Sequence, residues 1–333
     1  MAILGLLSFI SCNEKEGNLK DYSGTYCLNI ENLEMTIDQK DEEITFSLSG
    51  DLLENGTGTF TGDTLLLIAG TSASENFYSS IIFADDGRTF QGPYRVEDTN
   101  GIIKQQGMLE GMKGSCPVYD IDGKGFPHFV NDDFTQLYKI EMISRFRSGF
   151  GHSYTDGLES CRSMKHYYAP YEKYRLNNTV AIYSPVSGTI IAVPDDGHGA
   201  SHGLTNKQVH IRSKEQPAFV FVIFHCDLIS PDYSPGCTVK AGELIGHARL
   251  FYEDLDEYAT CFDIAVRVNT PSGSRLVSYF DVMSESLFDE YSFRGIDQRN
   301  DFIISKEERD ANTLECNGET FISGSNLEDW VVF

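Results

Sequence analysis

Short apolar runs separated by turn residues make up the first third of the chain. Eight such runs lie between Tyr22 and Lys113, with glycine, asparagine and aspartate at their junctions and no helical period between them. Runs of this kind are typical of antiparallel strands in a sandwich or barrel. The predicted strands lie at residues 24–28, 35–37, 43–48, 58–60, 64–68, 79–83, 89–94 and 107–111.

The pattern changes after Cys116. The acidic, glycine-rich residues 120–125 lack the full ligand spacing of a calcium loop, so we predict a linker there. Residues 130–146 begin with an Asn/Asp cluster and then place apolar residues at helical spacing, which predicts a helix. Strand patterns return beyond it, and residues 160–168 are expected to form a short helix or an ordered insertion.

Length and composition support two domains. A chain of 333 residues, 41% of them hydrophobic, exceeds one ordinary domain and can bury a sizeable core. We therefore predict an all-β protein with an N-terminal β-sandwich or barrel over residues 21–118 and a second, antiparallel β-sheet domain over residues 127–333. The first domain is similar to small lipocalin-like or carbohydrate-binding modules, but the likeness is too generic to indicate a ligand.

The first residues resemble the end of a bacterial lipoprotein signal. An apolar run over residues 1–10 is followed by Ser11 and Cys12, and a polar tether continues to Lys20. The resemblance implies an exported protein, lipidated at Cys12, with residues 1–20 as signal and tether and this lipid as its only attachment to a membrane. The basic start of such signals is missing, so a merely hydrophobic terminus is the alternative.

The chain is strongly acidic, with 26 Lys and Arg against 50 Asp and Glu and a formal charge of −24. Nucleic acids and phosphate-rich membrane surfaces would repel such a chain, which argues against both as partners. Bacterial walls are also largely anionic, so electrostatic steering would not bring the protein to them. The alternative interpretation is that the acidity only keeps the protein soluble.

Seven cysteines remain when Cys12 is set aside, and an exported chain is expected to oxidise most of them. Three pairs are plausible from their positions, which would leave Cys261 as a free thiol. The sequence does not fix this connectivity. The three pairs are Cys27 with Cys116, Cys226 with Cys237, and Cys161 with Cys316.

A histidine and an aspartate lie four residues apart in a glycine-flanked stretch, at His152 and Asp156. On an irregular segment this spacing can turn two ligand atoms toward one point, as a zinc ion requires. The spacing also occurs by chance, and a polar loop in which Asp156 caps a turn is the simpler alternative. The order of the segments that follow favours the metal interpretation.

Those segments resemble the lysostaphin-type zinc endopeptidases, which cleave peptide cross-bridges in bacterial cell walls. That family follows its His-x-x-x-Asp motif with a strand of the type sP-v-G-t-V, a strand ending in histidine, a v-k-a-G-d-x-I-G hairpin and a closing His-x-His strand. The same order recurs here over residues 149–268. The matching segments are residues 183–193, 208–211, 219–225, 239–246 and 261–268.

The resemblance assigns roles residue by residue. His152 and Asp156 match the first two metal ligands, and His225 matches the first catalytic histidine. The last motif departs, because Cys261 falls at the second catalytic histidine and Asp263 at the third metal ligand. A His, Asp, Asp set remains chemically able to bind zinc, so we expect these three side chains to converge on one point.

Three further histidines and one glutamate are candidates for the same site. His198 and His202 lie in a glycine loop that the resemblance places beside the substrate groove, and His210 lies on a strand facing it. Glu159 follows the metal loop and is expected to orient His152 by accepting a hydrogen bond, as metal-bound imidazoles commonly need. The alternatives are solvated loop histidines, a core histidine at His210 and surface packing.

Two function classes therefore remain open. In the first, the protein is a secreted zinc metallopeptidase of weak or degenerate activity that acts on peptidoglycan or other peptides, with His225 aiding proton transfer. In the second, the fold has lost turnover and serves as an envelope binding or regulatory module. The loss of the imidazole at Cys261 predicts weak or absent cleavage, because a thiol is a poor donor to a developing oxyanion.

Overall fold

The computed structural model describes residues 20–28, 33–41, 43–48, 56–61, 63–70, 74–84, 87–196, 206–252 and 257–333. The predictions for Cys12, for the signal over residues 1–19 and for His198 and His202 lie outside these ranges. Within them, no helix has the length and apolar character needed to cross a membrane.

Strand residues far outnumber helical residues in the described part of the chain, which confirms the predicted all-β class. The first eight strands close into an antiparallel barrel in sequence order, and each predicted run of the first third falls on one of them. They are β1 (Gly24–Leu28), β2 (Glu34–Lys40), β3 (Glu43–Leu48), β4 (Gly56–Thr61), β5 (Thr64–Gly70), β6 (Glu75–Phe83), β7 (Thr89–Asp98) and β8 (Ile103–Lys113).

Alternation of side chains fills the barrel. Along β5, Leu65 and Leu67 are buried, whereas Leu66 and Ile68 face outward, as the two-residue period of a strand requires. Gly92 lets β7 approach β6 closely, since a Cβ at this position would lie 1.8 Å from the carbonyl oxygen of Ser80. The barrel core is a cluster of its own, formed mainly by large aliphatic and aromatic residues.

An eleven-stranded sheet dominates the rest of the chain. Its strands are β9 (Ile140–Ser144), β10 (His166–Pro170), β11 (Ala181–Tyr183), β12 (Gly188–Ala192), β13 (Lys207–Ser213), β14 (Phe219–Leu228), β15 (Thr238–Val239), β16 (Leu244–Ala248), β19 (Phe262–Thr270), β20 (Gly273–Val277) and β23 (Trp330–Val332). Two small hairpins pair β17 (Phe251–Tyr252) with β18 (Glu257–Tyr258), and β21 (Cys316–Asn317) with β22 (Thr320–Phe321).

Short helices connect these strands. The α-helices are α1 (Ile121–Lys124), α2 (Tyr279–Val282), α3 (Glu285–Ser292) and α4 (Lys306–Ala311), and 3-10 turns lie at Leu137–Lys139, Glu172–Tyr174 and Arg299–Phe302. Serine side chains cap α2, α3 and α4 by accepting from backbone amides of the first turn. The predicted linker at 120–125 thus contains one turn of helix, with Asp120 as its cap.

The sheet order along its main path is β15, β12, β13, β14, β19, β10, β9, β23. The central strand β14 reads as an almost unbroken apolar run because both of its faces are covered. Phe219, Phe221 and Ile223 pack into the main core with α2 and α3, whereas Val220, Val222 and Phe224 belong to a smaller core on the other face. We call this second side, which also carries Asp263 and Ala265, the site face.

The predicted helix over residues 130–146 is wrong. The segment contains only a 3-10 turn before it becomes β9, which pairs with both β10 and β23. Tertiary pairing decides this outcome, since the backbone groups of Ile140 to Ser144 bond to neighbouring strands and the β-branched Ile140 and Ile143 suit a sheet. The acidic cluster does not cap a helix either, because Asp133 accepts from its neighbour Phe134 and from the hydroxyl of Tyr291.

The expected helix or insertion over residues 160–168 is also corrected. Its second half enters β10, a strand that lies between β9 and β19 and is buried along its length. His166 is a core residue, with one ring nitrogen 2.8 Å from the carbonyl oxygen of Ser144 and the other 2.8 Å from the hydroxyl of Ser278. This strand brings Lys165 and Tyr167 onto the site face.

Two of the three proposed disulfides are present. Cys27 on β1 pairs with Cys116, which follows the last barrel strand β8. Cys161 pairs with Cys316 and links the loop after His152 to the C-terminal segment. Cys226, Cys237 and Cys261 are free, so the third pair is not formed. Cys226 is buried, with its sulfur against Gly246 on β16, whereas Cys237 is partly exposed. Two disulfides indicate an oxidising, extracytoplasmic compartment.

We expect the barrel to fold as an isolated fragment of residues 20–118, because it has its own closed sheet and its own core. Circular dichroism and proton NMR of this fragment test the domain boundary. An unstructured oxidised fragment would instead show that the barrel depends on the rest of the chain.

A Cys27→Ser, Cys116→Ser variant should remain folded in buffer without denaturant. Its free energy of unfolding should fall by up to about 4 kcal/mol, since the disulfide spans 89 residues.

Candidate functional site

Three of the predicted site residues, His152, His225 and Asp263, meet at the site face where β10, β19 and β14 lie side by side. Tyr167 on β10 is paired in register with Asp263 on β19, and Ile223 on β14 is paired with Ile264. Paired residues of antiparallel strands share a face, so Tyr167 and Asp263 project to the same side. Lys165, two residues before Tyr167, joins them there.

The loop that carries His152 lies over this face. Gly151 has a φ of +72°, and a Cβ there would lie 2.2 Å from the hydroxyl oxygen of Tyr167, so only glycine allows the loop this close to the strand. The Tyr167 hydroxyl is 3.4 Å from Nδ1 of His152. The carbonyl of Glu319 accepts from the amide of Ser153, which holds the loop against the C-terminal hairpin.

Asp156 does not share the point that His152 faces. Its Oδ1 accepts from the amides of Leu158 at 3.0 Å and Glu159 at 3.3 Å, and its Oδ2 accepts from the amide of Leu276 at 3.1 Å. The Arg275 guanidinium lies 3.6 Å from Oδ2. Asp156 therefore caps a turn and joins the loop to β20, which is the simpler of the two interpretations of its spacing.

Lys165 occupies the position between His152 and Asp263. Its Nζ is 2.5 Å from Oδ2 of Asp263 and 3.2 Å from Nε2 of His152. The side chains of Lys165 and Asp263 are 1% and 0% exposed, so this ion pair is fully withdrawn from water. The ammonium also lies over aromatic rings, 4.1 Å from the centroid of Phe224, 4.9 Å from that of Tyr167 and 5.3 Å from that of Tyr154.

His225 completes the site from a bulge in β14. Between the pairs Lys207–Cys226 and Val209–Ile223, β14 has one more residue than β13, and His225 adopts a φ of +54° there. This turn points the imidazole at two carboxylates. Its Nδ1 is 2.7 Å from Oδ2 of Asp196, and its Nε2 is 3.4 Å from Oδ1 of Asp263.

The two site histidines are shifted in opposite directions. Burial lowers the pKa of His152, and the neighbouring Lys165 ammonium lowers it further. Burial would also lower the pKa of His225, but the hydrogen bond to Asp196 and the two nearby carboxylates outweigh it, so the pKa of His225 is raised. Despite its burial, Asp196 has a lowered pKa because it bonds to His225. The surroundings therefore favour the neutral form of His152 and the imidazolium form of His225.

Lys165 is held in its charged form. Burial alone would lower the pKa of Lys165, but the Asp263 carboxylate raises it above the ordinary value, with smaller contributions from Tyr167 and Tyr154. Neither oxygen of Asp263 has a well-directed hydrogen bond among the described residues, so the ion pairs with Lys165 and His225 are what compensate its burial.

Cys261 lies next to the site at the start of β19. Burial and the nearby Asp263 carboxylate raise the pKa of its thiol to about 12, so it stays protonated at neutral pH. A protonated thiol is neither a metal ligand nor a nucleophile, and as a hydrogen-bond donor it is weak. The catalytic role that the family resemblance assigns to this position therefore has no chemical support here.

Of the remaining predicted residues, His210 lies near the site and Glu159 belongs to a separate ion-pair cluster. His210 lies on β13, with Nε2 3.2 Å from the amide oxygen of Gln208, and burial lowers its pKa to about 3. Gln208 in turn donates to Asp196. Glu159 does not orient His152, which corrects that expectation. Its carboxylate is paired with the guanidinium groups of Arg147 at 2.8 Å and Arg162 at 2.6 Å.

These residues do not fit a zinc ion. Among the described residues, no three or more His, Cys, Asp and Glu side chains are placed to hold a metal. The expected convergence of His152, Asp156 and Asp263 is therefore not found, because Asp156 is committed to backbone amides and the Lys165 ammonium stands between the other two. The donor set present suits a monovalent, hydrogen-bonding cation.

Sequence reasoning placed Lys165 in a packed surface insertion and did not assign Asp196 to the site. A signal for Lys165 was present, because a lysine in the otherwise apolar and aromatic run 164–169 must lie on one of two covered faces if that run is a central strand. The helix expected over residues 160–168 hid it. Asp196 carried no comparable signal, since its contact with His225 depends on the bulge in β14.

Comparisons with known proteins give little further guidance. No family model matches the chain, and no curated protein matches it. Two solved structures of Csd3 from Helicobacter pylori, from an orthorhombic and a hexagonal crystal, are similar at 12% identity. They cover 79% of this chain and 82% and 80% of theirs, with TM-scores of 0.30 and 0.28. Likeness at this level assigns neither a family nor an activity.

Removing the acid of the buried ion pair should be strongly destabilising. We expect Asp263→Ala to lower the free energy of unfolding by about 3–5 kcal/mol, because it leaves the Lys165 ammonium buried without its anion. Asp195→Ala is the matched control, since Asp195 pairs with Lys207 at an exposed position and should cost about 1 kcal/mol or less. Urea denaturation measures both, and equal losses in the two variants would contradict the assignment.

The pKa of His225 should depend on Asp196. In Asp196→Asn we expect the pKa of His225 to fall, because the hydrogen bond and the charge of Asp196 are lost while burial remains. NMR titration of the His225 ring protons measures this shift. Since the folded-state pKa of His225 is raised, its contribution to stability is full at pH below about 6.5 and is lost as pH rises through the folded value. An unchanged pKa in Asp196→Asn would show that Asp263 alone sets the charge.

Proposed function

We propose that this chain is an exported cell-envelope protein whose second half is a non-catalytic binding or regulatory module on a lysostaphin-like sheet. The observation that carries the proposal is the commitment of Asp156 to the amides of Leu158, Glu159 and Leu276, which removes the second of the three metal ligands implied by the sequence motif. A lysostaphin-type mechanism requires that ligand, because the metal polarises the peptide carbonyl and activates water.

The state of Cys261 supports the same proposal. Its thiol has a pKa of about 12 and stands where the family places a histidine that stabilises the oxyanion. Loss of one positioned donor of this kind typically costs on the order of 100- to 1,000-fold in rate. Peptide cleavage by this site would therefore be slow even with a metal supplied.

The ligand we propose is a peptide or peptidoglycan-like chain bound at the site face. His152, His210 and His225 are partly exposed there, beside the partly exposed ring of Tyr154. Imidazoles and tyrosines offer both ring surface and hydrogen-bonding groups, as peptide-binding surfaces require. The two disulfides agree with an extracytoplasmic location, and attachment through a lipid at Cys12 remains a prediction.

We expect purified protein to co-sediment with isolated peptidoglycan sacculi without solubilising them, with or without added zinc or EDTA. Binding should hold or strengthen as salt rises from about 20 mM to about 150 mM, because screening weakens the repulsion between an anionic wall and a chain of charge −24. His210→Ala should weaken binding, whereas Ile68→Ser on the exposed outer wall of the barrel serves as the matched control.

Two outcomes would count against the proposal. Zinc-dependent, EDTA-sensitive release of muropeptides, abolished by His152→Ala, would establish a peptidase instead. Absence of sedimentation at every salt concentration would remove the envelope ligand. Equal weakening in His210→Ala and Ile68→Ser would move the contact away from the site face.

A further inference from the structure

The site holds an internal cation where its sequence motif implies a metal. Two of the three side chains that the resemblance assigns to zinc, His152 and Asp263, both contact one positive charge, the ammonium of Lys165. Both use the atoms that a metal would require, an imidazole Nε2 and a carboxylate oxygen. The third, Asp156, faces elsewhere. The same pair of donors therefore contacts a cation, and that cation is a side chain of the protein itself.

The surroundings of Lys165 are built for a fixed charge. The side chain is 1% exposed, and Phe224, Tyr167 and Tyr154 place their ring faces within 5.3 Å of its nitrogen. An ammonium has three donors and no acceptor, so a carboxylate and a neutral imidazole nitrogen suit it as partners. Aromatic faces stabilise the remaining side of a desolvated cation without needing a hydrogen bond.

The ammonium also links the same parts of the fold that a metal would link. His152 lies on the loop after β9, Lys165 immediately precedes β10, and Asp263 lies on β19. The contacts of Nζ therefore tie the loop to the centre of the sheet, and the Tyr167 hydroxyl supports His152 from the other ring nitrogen.

A divalent ion and this ammonium exclude each other. Zinc bound about 2 Å from Oδ2 of Asp263 would lie no more than about 4.5 Å from Nζ of Lys165, which is itself 2.5 Å from that oxygen. Two cations at that distance inside a water-free site repel strongly. The carboxylate that they would share has a single negative charge, and the Lys165 ammonium already neutralises it.

We infer that Lys165 is a built-in monovalent replacement for a metal ion: its ammonium crosslinks the His152 loop to β19 and keeps divalent cations out of the site. This goes beyond the proposed binding function, because it concerns what holds the site together and not what the site face binds.

Zinc binding by tag-free, oxidised full-length protein tests it, with zinc alone as the probe. The wild type should not take up zinc at His152, and its ring resonances should not move during a zinc titration followed by NMR. Lys165→Ala should bind zinc at least about 100-fold more tightly than the wild type, because a nearby positive charge is removed while both donors stay. Cobalt absorption spectra provide a second measure of coordination by histidine.

Matched variants locate the effect. Adding His152→Ala to Lys165→Ala should abolish the gained affinity, which separates this site from the free thiols Cys237 and Cys261. Lys207→Ala removes a lysine that pairs with Asp195 instead and should gain nothing. Lys165→Met keeps the length of the side chain without its charge and serves if the alanine variant does not fold.

The results that overturn the inference are specific. Stoichiometric zinc binding by the wild type that shifts the His152 ring resonances would do so, even if no Lys165 variant folds. So would a folded Lys165→Ala or Lys165→Met protein with no gain in zinc affinity. Failure of sacculus binding would remove the proposed function and leave this inference standing, since the zinc titration needs no envelope ligand.

Discussion

The ion pair between Lys165 and Asp263 is the interaction on which the second half of the molecule depends. Two opposite charges are buried where three central strands meet, and each would be very unfavourable there without the other. Three neighbouring side chains extend the network. His152 faces the ammonium, His225 faces the carboxylate, and Asp196 lies against the other ring nitrogen of His225.

This chain of contacts accounts for how His152 and Asp263 are held by the protein itself. In zinc sites the protein supplies neutral and anionic donors, and the ion supplies the positive charge that holds them together. Here the positive charge that contacts both donors is a side chain of the fold. The lysine cannot supply the chemistry of a metal ion, because an ammonium has neither the open coordination positions nor the Lewis acidity that activate water.

The positions at which the chain differs from the lysostaphin-type sequence pattern are consistent with one another. Asp263 in place of histidine supplies the anion that a buried lysine needs, whereas a neutral imidazole at that position would leave Lys165 unpaired. Asp156 holds its loop against β20 by accepting a hydrogen bond from the amide of Leu276. Cys261 stays protonated beside this cluster and adds no further charge to it.

The sequence by itself determined the alternating strands of the barrel, because a two-residue period of apolar side chains is a local signal that burial of one face imposes. The order of recognisable segments predicted that His152, Asp156 and Asp263 would share one site with His225, whereas the structure links His152 and Asp263 through Lys165 and directs Asp156 to the amide of Leu276. The helix expected at residues 130–146 failed because helical spacing and a covered strand look alike in a short apolar run, and only the neighbours β10 and β23 decided between them. The orientation of Asp156 and the position of Lys165 were likewise decided by tertiary structure. The partner of each charged side chain depends on strand register and on a single bulge. Neither feature can be predicted from the local sequence.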